Sequence, residues 1–131
     1  MSNQDQTTSA AALPAVSDAF HGGKFAGLTT QKDGTHVAVV LLPGRATDVT
    51  WAQAKEWAAT AGGELPTRPI AALLYANLKP SLEPSWHWTS EEYEDDASGA
   101  WRCDFDDGHQ GYGHQSFEGS AVAVRCIPLS S

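Results

Sequence analysis

The stretch from Thr50 to Leu78 constrains the fold most, because it carries the start and stop signals of two short helices. Thr50 and Gln53 have the spacing of a capping box, in which each side chain satisfies a backbone N–H at a helix start. An apolar stripe at helical spacing follows, formed by Trp51, Ala54, Trp57, Ala58 and Ala61. Gly62 and the glycine after it predict the helix end, since glycine adopts the left-handed conformation at low steric cost.

A second helix is predicted immediately afterwards. Thr67 is suited to the N-cap position, and Pro69 falls in the first turn, where its missing N–H is not needed. The residues that recur at helical spacing are Ile70, Leu73, Leu74, Asn77 and Leu78. Pro80 predicts the end of this helix, because proline cannot continue the hydrogen-bond ladder.

Two further segments predict strands of the core. The continuous apolar run from His36 to Leu42 is typical of a strand that is buried on both faces. The last strand is predicted from Ala121 to Ile127, with one face formed by Val122, Val124 and Cys126. Arg125 falls on the other face, where we expect it to pair with a carboxylate such as Asp104 or Asp106.

Most of the remaining aromatic residues lie between the second helix and the last strand. Trp86 and Trp88 alternate along the chain, as do Trp101, Cys103 and Phe105, so each set predicts one face of a strand. Their size and alternation favour core positions over surface ones.

Taken together, these motifs resemble the DUF1566 family of C-type-lectin-like domains. The resemblance covers about residues 22–127 and rests on an ordered set: Trp51 and Ala54, Gly62 to Arg68, Leu73 to Tyr75, Trp86 to Ser90, Trp101 to Phe105, Asp107 with Gly108, and Val124 to Cys126. It implies an α+β, C-type-lectin-like fold in which two helices pack on twisted antiparallel strands beside a long, irregular loop region. Members are frequent in bacteriophages, prophages and bacterial surface proteins, and most have no assigned activity.

One position departs from the pattern of this family. Family members usually carry an acidic residue where this chain has Ile70, so the resemblance implies that the second helix lacks its capping-box partner. We therefore expect a weaker N-terminus for this helix, without a threat to the fold.

The chain as a whole has 131 residues, which fits one domain. We predict a flexible tail over residues 1–18 and a single domain over residues 19–131. The N-terminus has no basic segment, so we expect no secretory signal peptide. With the phage origin that the resemblance implies, the expected location is the host cytoplasm or the virion. No apolar run approaches the length of a membrane span, and the net charge of −8 disfavours direct nucleic-acid binding.

The cysteines and acidic residues leave alternatives open. Without a secretory signal, Cys103 and Cys126 are expected to be reduced, and a disulfide requires that their strands be neighbours. Half of the 16 acidic residues lie between positions 91 and 107, where they could attract calcium. Gln115 stands where an EF-hand would need glutamate, so a solvated acidic loop is favoured and no cofactor is expected. A zinc site at His87, His109 and His114 is the weaker hypothesis, and no metal site is predicted.

The most probable ligand-binding surface by composition lies between positions 91 and 117. Aromatic rings there could stack on sugars or fill protein pockets, and carboxylates, imidazoles and amides could supply polar contacts. The predicted site residues are Glu91, Glu92, Tyr93, Asp106, Asp107, His109, Tyr112, His114 and Phe117. Residues 109–115 are predicted to form a glycine-rich hairpin tip. An ordinary polar loop is the alternative interpretation.

No nucleophile elbow, phosphate-binding loop or dinucleotide fingerprint occurs, so we expect no catalysis. The sequence favours a binding module for a carbohydrate or protein, and the resemblance implies a phage-encoded virion or tail component. The alternative is an intracellular phage or prophage protein that inhibits a host factor through its acidic surface. Neither hypothesis requires a membrane, and homo-oligomer formation is left open.

Overall fold

Two α-helices, two short 3-10 helices (Ala10–Ala12 and Lys79–Ser81) and nine strands form within residues 7–130, the part of the chain that the computed structural model describes. The helices are α1 (Trp51–Thr60) and α2 (Arg68–Leu78). The strands are β1 (Ala19–Phe20), β2 (Gly23–Thr30), β3 (His36–Leu41), β4 (Ala46–Val49), β5 (Trp86–Glu92), β6 (Gly99–Asp104), β7 (Gln110–His114), β8 (Gly119–Ala121) and β9 (Val124–Pro128). The predicted α+β class is therefore confirmed.

The strands are arranged in two sheets, one of four strands and one of five. The first sheet has the order β1-β2-β3-β9 and the second has the order β4-β8-β5-β6-β7. Their pairings are antiparallel except for one parallel contact between β5 and β8, where His87 lies opposite Ser120. Strands β4 and β7 are consequently the two edges of the second sheet.

Helix α1 begins and ends as its sequence signals predict. The Thr50 hydroxyl accepts a hydrogen bond from the Gln53 N–H at 3.3 Å, and the Gln53 side chain accepts one from the Thr50 N–H at 3.0 Å. Gly62 has a φ of +92°, the left-handed conformation that ends the helix. The two helices of residues 7–130 are too short to cross a membrane.

Helix α2 has the predicted cap and an additional one that comes from a distant strand. The Thr67 hydroxyl accepts a hydrogen bond from the Ile70 N–H at 3.3 Å. Glu91 of β5 accepts a hydrogen bond from the Arg68 N–H at 2.8 Å. The expected weakness at Ile70 is therefore offset, because a carboxylate from another element satisfies the helix terminus and its positive dipole end.

Strand β3 separates the two parts of the hydrophobic core, as its predicted burial on both faces requires. Ala38 and Val40 belong to the cluster under α1, whereas Val37, Val39 and Leu41 belong to the cluster under α2. The predicted inward faces of the helices contribute to these clusters through Trp51, Ala54 and Ala58 of α1 and Ile70, Leu74 and Leu78 of α2. The core thus has two layers, one on each side of the sheets.

The C-terminal segment forms two strands rather than the single predicted strand over residues 121–127. β8 ends at Ala121 in the second sheet and β9 begins at Val124 in the first, so the chain crosses between sheets at Val122. The predicted alternation survives this crossing, since Val122, Val124 and Cys126 all pack in the α2 cluster.

The predicted pairing of Arg125 with Asp104 or Asp106 is wrong. Its guanidinium instead donates hydrogen bonds to the backbone carbonyls of His21, at 2.8 Å, and Gly62, at 3.2 Å. The physical reason is topological: β9 belongs to the first sheet, so Arg125 faces the β1–β2 turn and the end of α1 rather than β6.

Part of the predicted N-terminal tail lies outside the described residues, namely residues 1–6. In residues 7–18, the Thr8 N–H donates to the Pro128 carbonyl at 3.0 Å, and the Ser17 N–H donates to the Phe25 carbonyl at 2.8 Å. Leu13 packs against the α1 cluster. This segment therefore lies along the first sheet.

Both cysteines are free thiols that pack as apolar groups. Cys103 lies in β6 and Cys126 in β9, which belong to different sheets. Burial raises the pKa of each thiol to about 11, because a thiolate would lose its hydration. Neither thiol is therefore activated as a nucleophile at neutral pH.

Candidate functional site

The predicted site between residues 91 and 117 is built mainly from the β6–β7 hairpin. The predicted hairpin tip over residues 109–115 is wrong: Gln110–His114 is β7, an edge strand, and the turn precedes it. The turn is fixed by Asp104, which accepts from the Asp106 N–H at 2.9 Å, and by Asp107, which accepts from the His109 N–H at 2.9 Å. Because β7 alternates its side chains between two faces, the predicted residues are divided between two surfaces.

The aromatic residues of β5 and β6 follow the same division. Trp88, Cys103 and Phe105 are buried as predicted, but the core positions predicted for Trp86 and Trp101 are wrong, since both are half-buried. The sheet is covered near its centre on both faces, by α1 and by α2, so alternation there does not distinguish inside from outside. Trp86 and Trp101 are half-buried because each lies beyond the part of its sheet face that a helix covers.

A cluster of three rings, which we call the tyrosine surface, lies on the α2 face: Tyr93, Trp101 and Tyr112. The rings of Tyr93 and Tyr112 are stacked, with centroids 4.0 Å apart and an interplanar angle of 14°. Trp101 meets Tyr93 edge-on at a centroid distance of 5.3 Å. Tyr112 is 56% exposed, so its outer ring face is available to a ligand.

Polar contacts fix the inner ring of the tyrosine surface. The guanidinium carbon of Arg68 lies 3.5 Å from the centroid of Trp101, and its Nε donates to the Gln110 side chain at 2.9 Å. On the other side, the Trp101 indole N–H donates to Glu94 at 3.1 Å. The ring is therefore held before any ligand arrives, which lowers the entropy cost of binding.

Sequence reasoning missed these supporting residues, Arg68, Glu94, Trp101 and Gln110. Arg68 and Trp101 are 33 positions apart and belong to different elements, so no local spacing connects them. Alternation and size favour a core position for Trp101, so no signal in the sequence marks its half-buried place beside the edge strand.

The rim of the tyrosine surface is acidic. Glu92, Glu94, Asp95 and Asp96 are all exposed. The hydrogen bond from Trp101 lowers the pKa of Glu94, and hydrogen bonds from Ser98 lower the pKa of Asp96. Desolvation and the nearby charge of Asp95 raise the pKa of the Tyr93 phenol. The lowered pKa values keep Glu94 and Asp96 ionised at neutral pH, beside a Tyr93 phenol that stays protonated.

The opposite face of the hairpin carries a different arrangement around Arg102. Its guanidinium carbon lies 4.7 Å from the centroid of Trp86 and 5.7 Å from that of Phe117, which is 60% exposed. Within residues 7–130 its Nε is buried without a hydrogen-bond acceptor, and burial lowers the pKa of the guanidinium. His109 contacts Trp86 edge-on at 5.9 Å.

The other predicted site residues have mainly local partners. Glu91 caps α2, Asp107 fixes the turn, and His114 accepts a hydrogen bond from the Ser116 N–H at 3.2 Å. Glu92 and Asp106 are exposed. Of the nine predicted residues, the structure therefore brings Tyr93 and Tyr112 together with Glu92 nearby in the chain, and places Phe117 and His109 on the other face.

One cleft adjoins this site, and another lies apart from it. A shallow cleft of about 720 Å³ adjoins the tyrosine surface at Arg68 and Gln110 and is also lined by Lys32 and His109. Another cleft, of about 690 Å³, lies at the end of β3, between the β1–β2 turn and residues 81–83 after α2, and contains none of the predicted site residues. In residues 7–130, no three His, Cys, Asp or Glu side chains come together in a metal-binding arrangement.

The fold and this surface define the chain as an α+β protein with an exposed, preorganised aromatic cluster on an edge hairpin. A scan against protein-family models finds no match, and a search of curated proteins finds none that matches.

Proposed function

We propose that the protein is a non-enzymatic binding module that recognises a carbohydrate or protein partner through the tyrosine surface and its acidic rim. The observation that carries this proposal is Tyr112, a large ring that is 56% exposed yet fixed from behind by Tyr93. An aromatic face held in this way can stack on a sugar ring or fill a partner's pocket at a low entropic cost.

The arrangement of elements supports a C-type-lectin-like scaffold of the DUF1566 kind. The last strand, β9, pairs with β3 near the start of the domain, and two consecutive helices connect β4 to β5, which are both strands of the second sheet. The proposed ligand surface lies on the β6–β7 hairpin, at the β7 edge of the second sheet. Such a division, with a rigid scaffold and a peripheral recognition surface, suits a phage-encoded virion or tail component.

The experiment is a glycan array and a pull-down with host extracts, each performed with and without calcium. We expect binding to be lost in Tyr112→Ala and retained in Phe117→Ala, because Phe117 is equally exposed but lies on the opposite face. Both variants should keep the wild-type circular dichroism spectrum. A flat array together with an empty pull-down, or an equal loss in both variants, would contradict the assignment of this surface.

A second function is favoured by the four exposed carboxylates of the rim. A negatively charged surface of this kind could occupy a basic, nucleic-acid-binding surface of a host factor. In that case, affinity for one cytosolic partner should fall steeply with salt and weaken in Asp95→Asn, and the protein should be absent from purified particles. If the protein is instead a virion component, it should be present in purified particles.

A further inference from the structure

The edge strand β7 differs from the other three sheet edges in the described part of the chain. β1 has only two residues, β4 has an irregular register with Asp48 at a φ of +54°, and β9 is covered by backbone pairing of Glu64 with Val124. β7 has five residues in continuous register with β6. It contains no proline or bulge, which are the usual devices that protect an edge from pairing.

The edge also lacks charged side chains, although the chain has a net charge of −8. Residues 108–117 contain no Asp, Glu, Lys or Arg. Charged side chains, especially lysine, normally prevent an exposed edge from pairing with another strand. The most exposed large apolar residues of the described chain, Tyr112 and Phe117, lie on the two faces beside it. The edge therefore lacks Asp, Glu, Lys and Arg side chains, whereas the rim of the tyrosine surface is acidic.

The backbone groups of β7 are oriented for pairing. The His109 carbonyl accepts from the Asp104 N–H, and the Gln115 N–H donates to the Ser98 carbonyl, so the odd-numbered positions face β6. Alternation then directs the N–H and C=O groups of Gln110 and Tyr112 away from β6, together with the N–H of His114. The His114 carbonyl is already bonded to the Phe117 N–H at 3.0 Å.

The sequence around Tyr112 is close to symmetric, since a glycine lies on each side and Gln110 and His114 flank the glycines. In an antiparallel pair related by a two-fold axis at Tyr112, each Gln110 would face His114 of the second copy. No like charges meet at neutral pH, and glycine faces glycine on the Arg102 side. A surface that complements itself in this way is what a two-fold dimer requires.

We propose that β7 pairs antiparallel with β7 of a second copy of this chain, joining two five-stranded sheets through a two-fold axis at Tyr112. The pairing places the two tyrosine surfaces side by side on one face of the joined sheet. The proposed pairing does not depend on which ligand the tyrosine surface binds. The interface is small, so the dimer should dissociate in the micromolar to millimolar range.

The experiment is sedimentation equilibrium of the full chain from low micromolar to millimolar concentration. Wild type should show a monomer–dimer equilibrium. His114→Pro should weaken association at least about tenfold, because it removes an outward N–H without breaking a bond to β6. His114→Ala is the matched control, since it removes the same side chain but keeps the N–H, and it should associate like wild type.

Hydrogen exchange gives a second readout that does not depend on a folded His114→Pro variant. In the wild type, the Tyr112 amide should become more protected as protein concentration rises, while the exposed amide of Ser98 should not change. A wild type that stays monomeric at millimolar concentration would overturn the proposal. So would a dimer that is unaffected by His114→Pro, or a Tyr112 amide whose exchange is independent of concentration.

Discussion

Two arginine–tryptophan stacks lie on opposite faces of the β6–β7 hairpin and are held in different ways. Arg68 lies on Trp101 at 3.5 Å, and its Nε has an acceptor in Gln110. Arg102 lies at 4.7 Å from Trp86, and its buried Nε has no acceptor in residues 7–130. The first stack is fixed by directional hydrogen bonds, whereas the second is fixed by shape and desolvation.

This difference decides what each face is suited to. The α2 face presents rings whose positions are fixed by bonded neighbours, so it can recognise a ligand without reorganising. The opposite face buries the Nε of Arg102 without a hydrogen-bond acceptor in residues 7–130. Burying an unpaired donor costs about 1–3 kcal/mol, which the surrounding contacts must offset. We therefore expect its variants to affect the packing of Arg102 more than binding.

The largest expected effect comes from removing the two tryptophans. Trp101→Ala should lower the free energy of unfolding by about 2 kcal/mol, somewhat below the range for a fully buried tryptophan. Trp86→Ala should lower the free energy of unfolding by about 1 kcal/mol, because the substitution removes mainly the contacts of the Trp86 ring with Arg102 and His109. Urea denaturation measures both values. Equal losses, or a larger loss in Trp86→Ala, would contradict the expected difference between the two stacks.

An intermediate effect is expected at the two glycines of β7, which face the Arg102 stack. A Cβ on Gly113 would lie 2.5 Å from the Arg102 Nε, whereas a Cβ on Gly111 would meet only ordinary contacts, the nearest at 3.8 Å. Gly113→Ala must therefore displace the guanidinium from its rings. It should be less stable than Gly111→Ala by about 1 kcal/mol, the value of a partly desolvated cation–π contact.

The control for this prediction is the same pair of substitutions in an Arg102→Ala background. The difference between the two alanine variants should disappear there, because no guanidinium remains to be displaced. A difference that persists would place its origin in the β7 backbone instead.

The sequence predicted the helices well and the hairpin poorly, for a physical reason. Thr50, Gly62 and Thr67 act on backbone groups within four residues, so their effects are visible in the local sequence. The cap that Glu91 provides to α2 and the stack of Arg68 on Trp101 join positions more than 20 residues apart. Such contacts depend on sheet order, which local spacing does not encode.

Alternation along β5 and β6 identified the faces correctly but not their burial. A strand covered on one side gives a clear inside and outside, whereas this sheet is covered by α1 on one face and α2 on the other. His87 illustrates the point: it lies between the two predicted core tryptophans of β5 and is itself only 1% exposed. The error at Arg125 has a related cause, because the crossing between sheets at Val122 has no marker in the sequence.

The smallest expected effect at neutral pH concerns His87, the second buried group without a full set of partners. Its Nδ1 lies 2.8 Å from the Ser85 carbonyl, while Nε2 has no partner within residues 7–130. Burial lowers the pKa of His87 below its usual value of 6.5, so the folded protein favours the neutral imidazole. The unfolded chain therefore takes up this proton first as the pH falls, and stability should decrease below about pH 6.5.

The comparison is between wild type and His87→Leu, measured as the free energy of unfolding at about pH 7 and about pH 5. Wild type should lose more stability than the variant over this interval, because only wild type must retain an unprotonated imidazole at that position. His109→Ala, at an exposed histidine, should follow wild type. Arg102 stays charged over this interval, so a pH dependence that is reduced by His87→Leu would assign that part of the acid sensitivity to His87. An equal loss in wild type and His87→Leu would contradict the prediction.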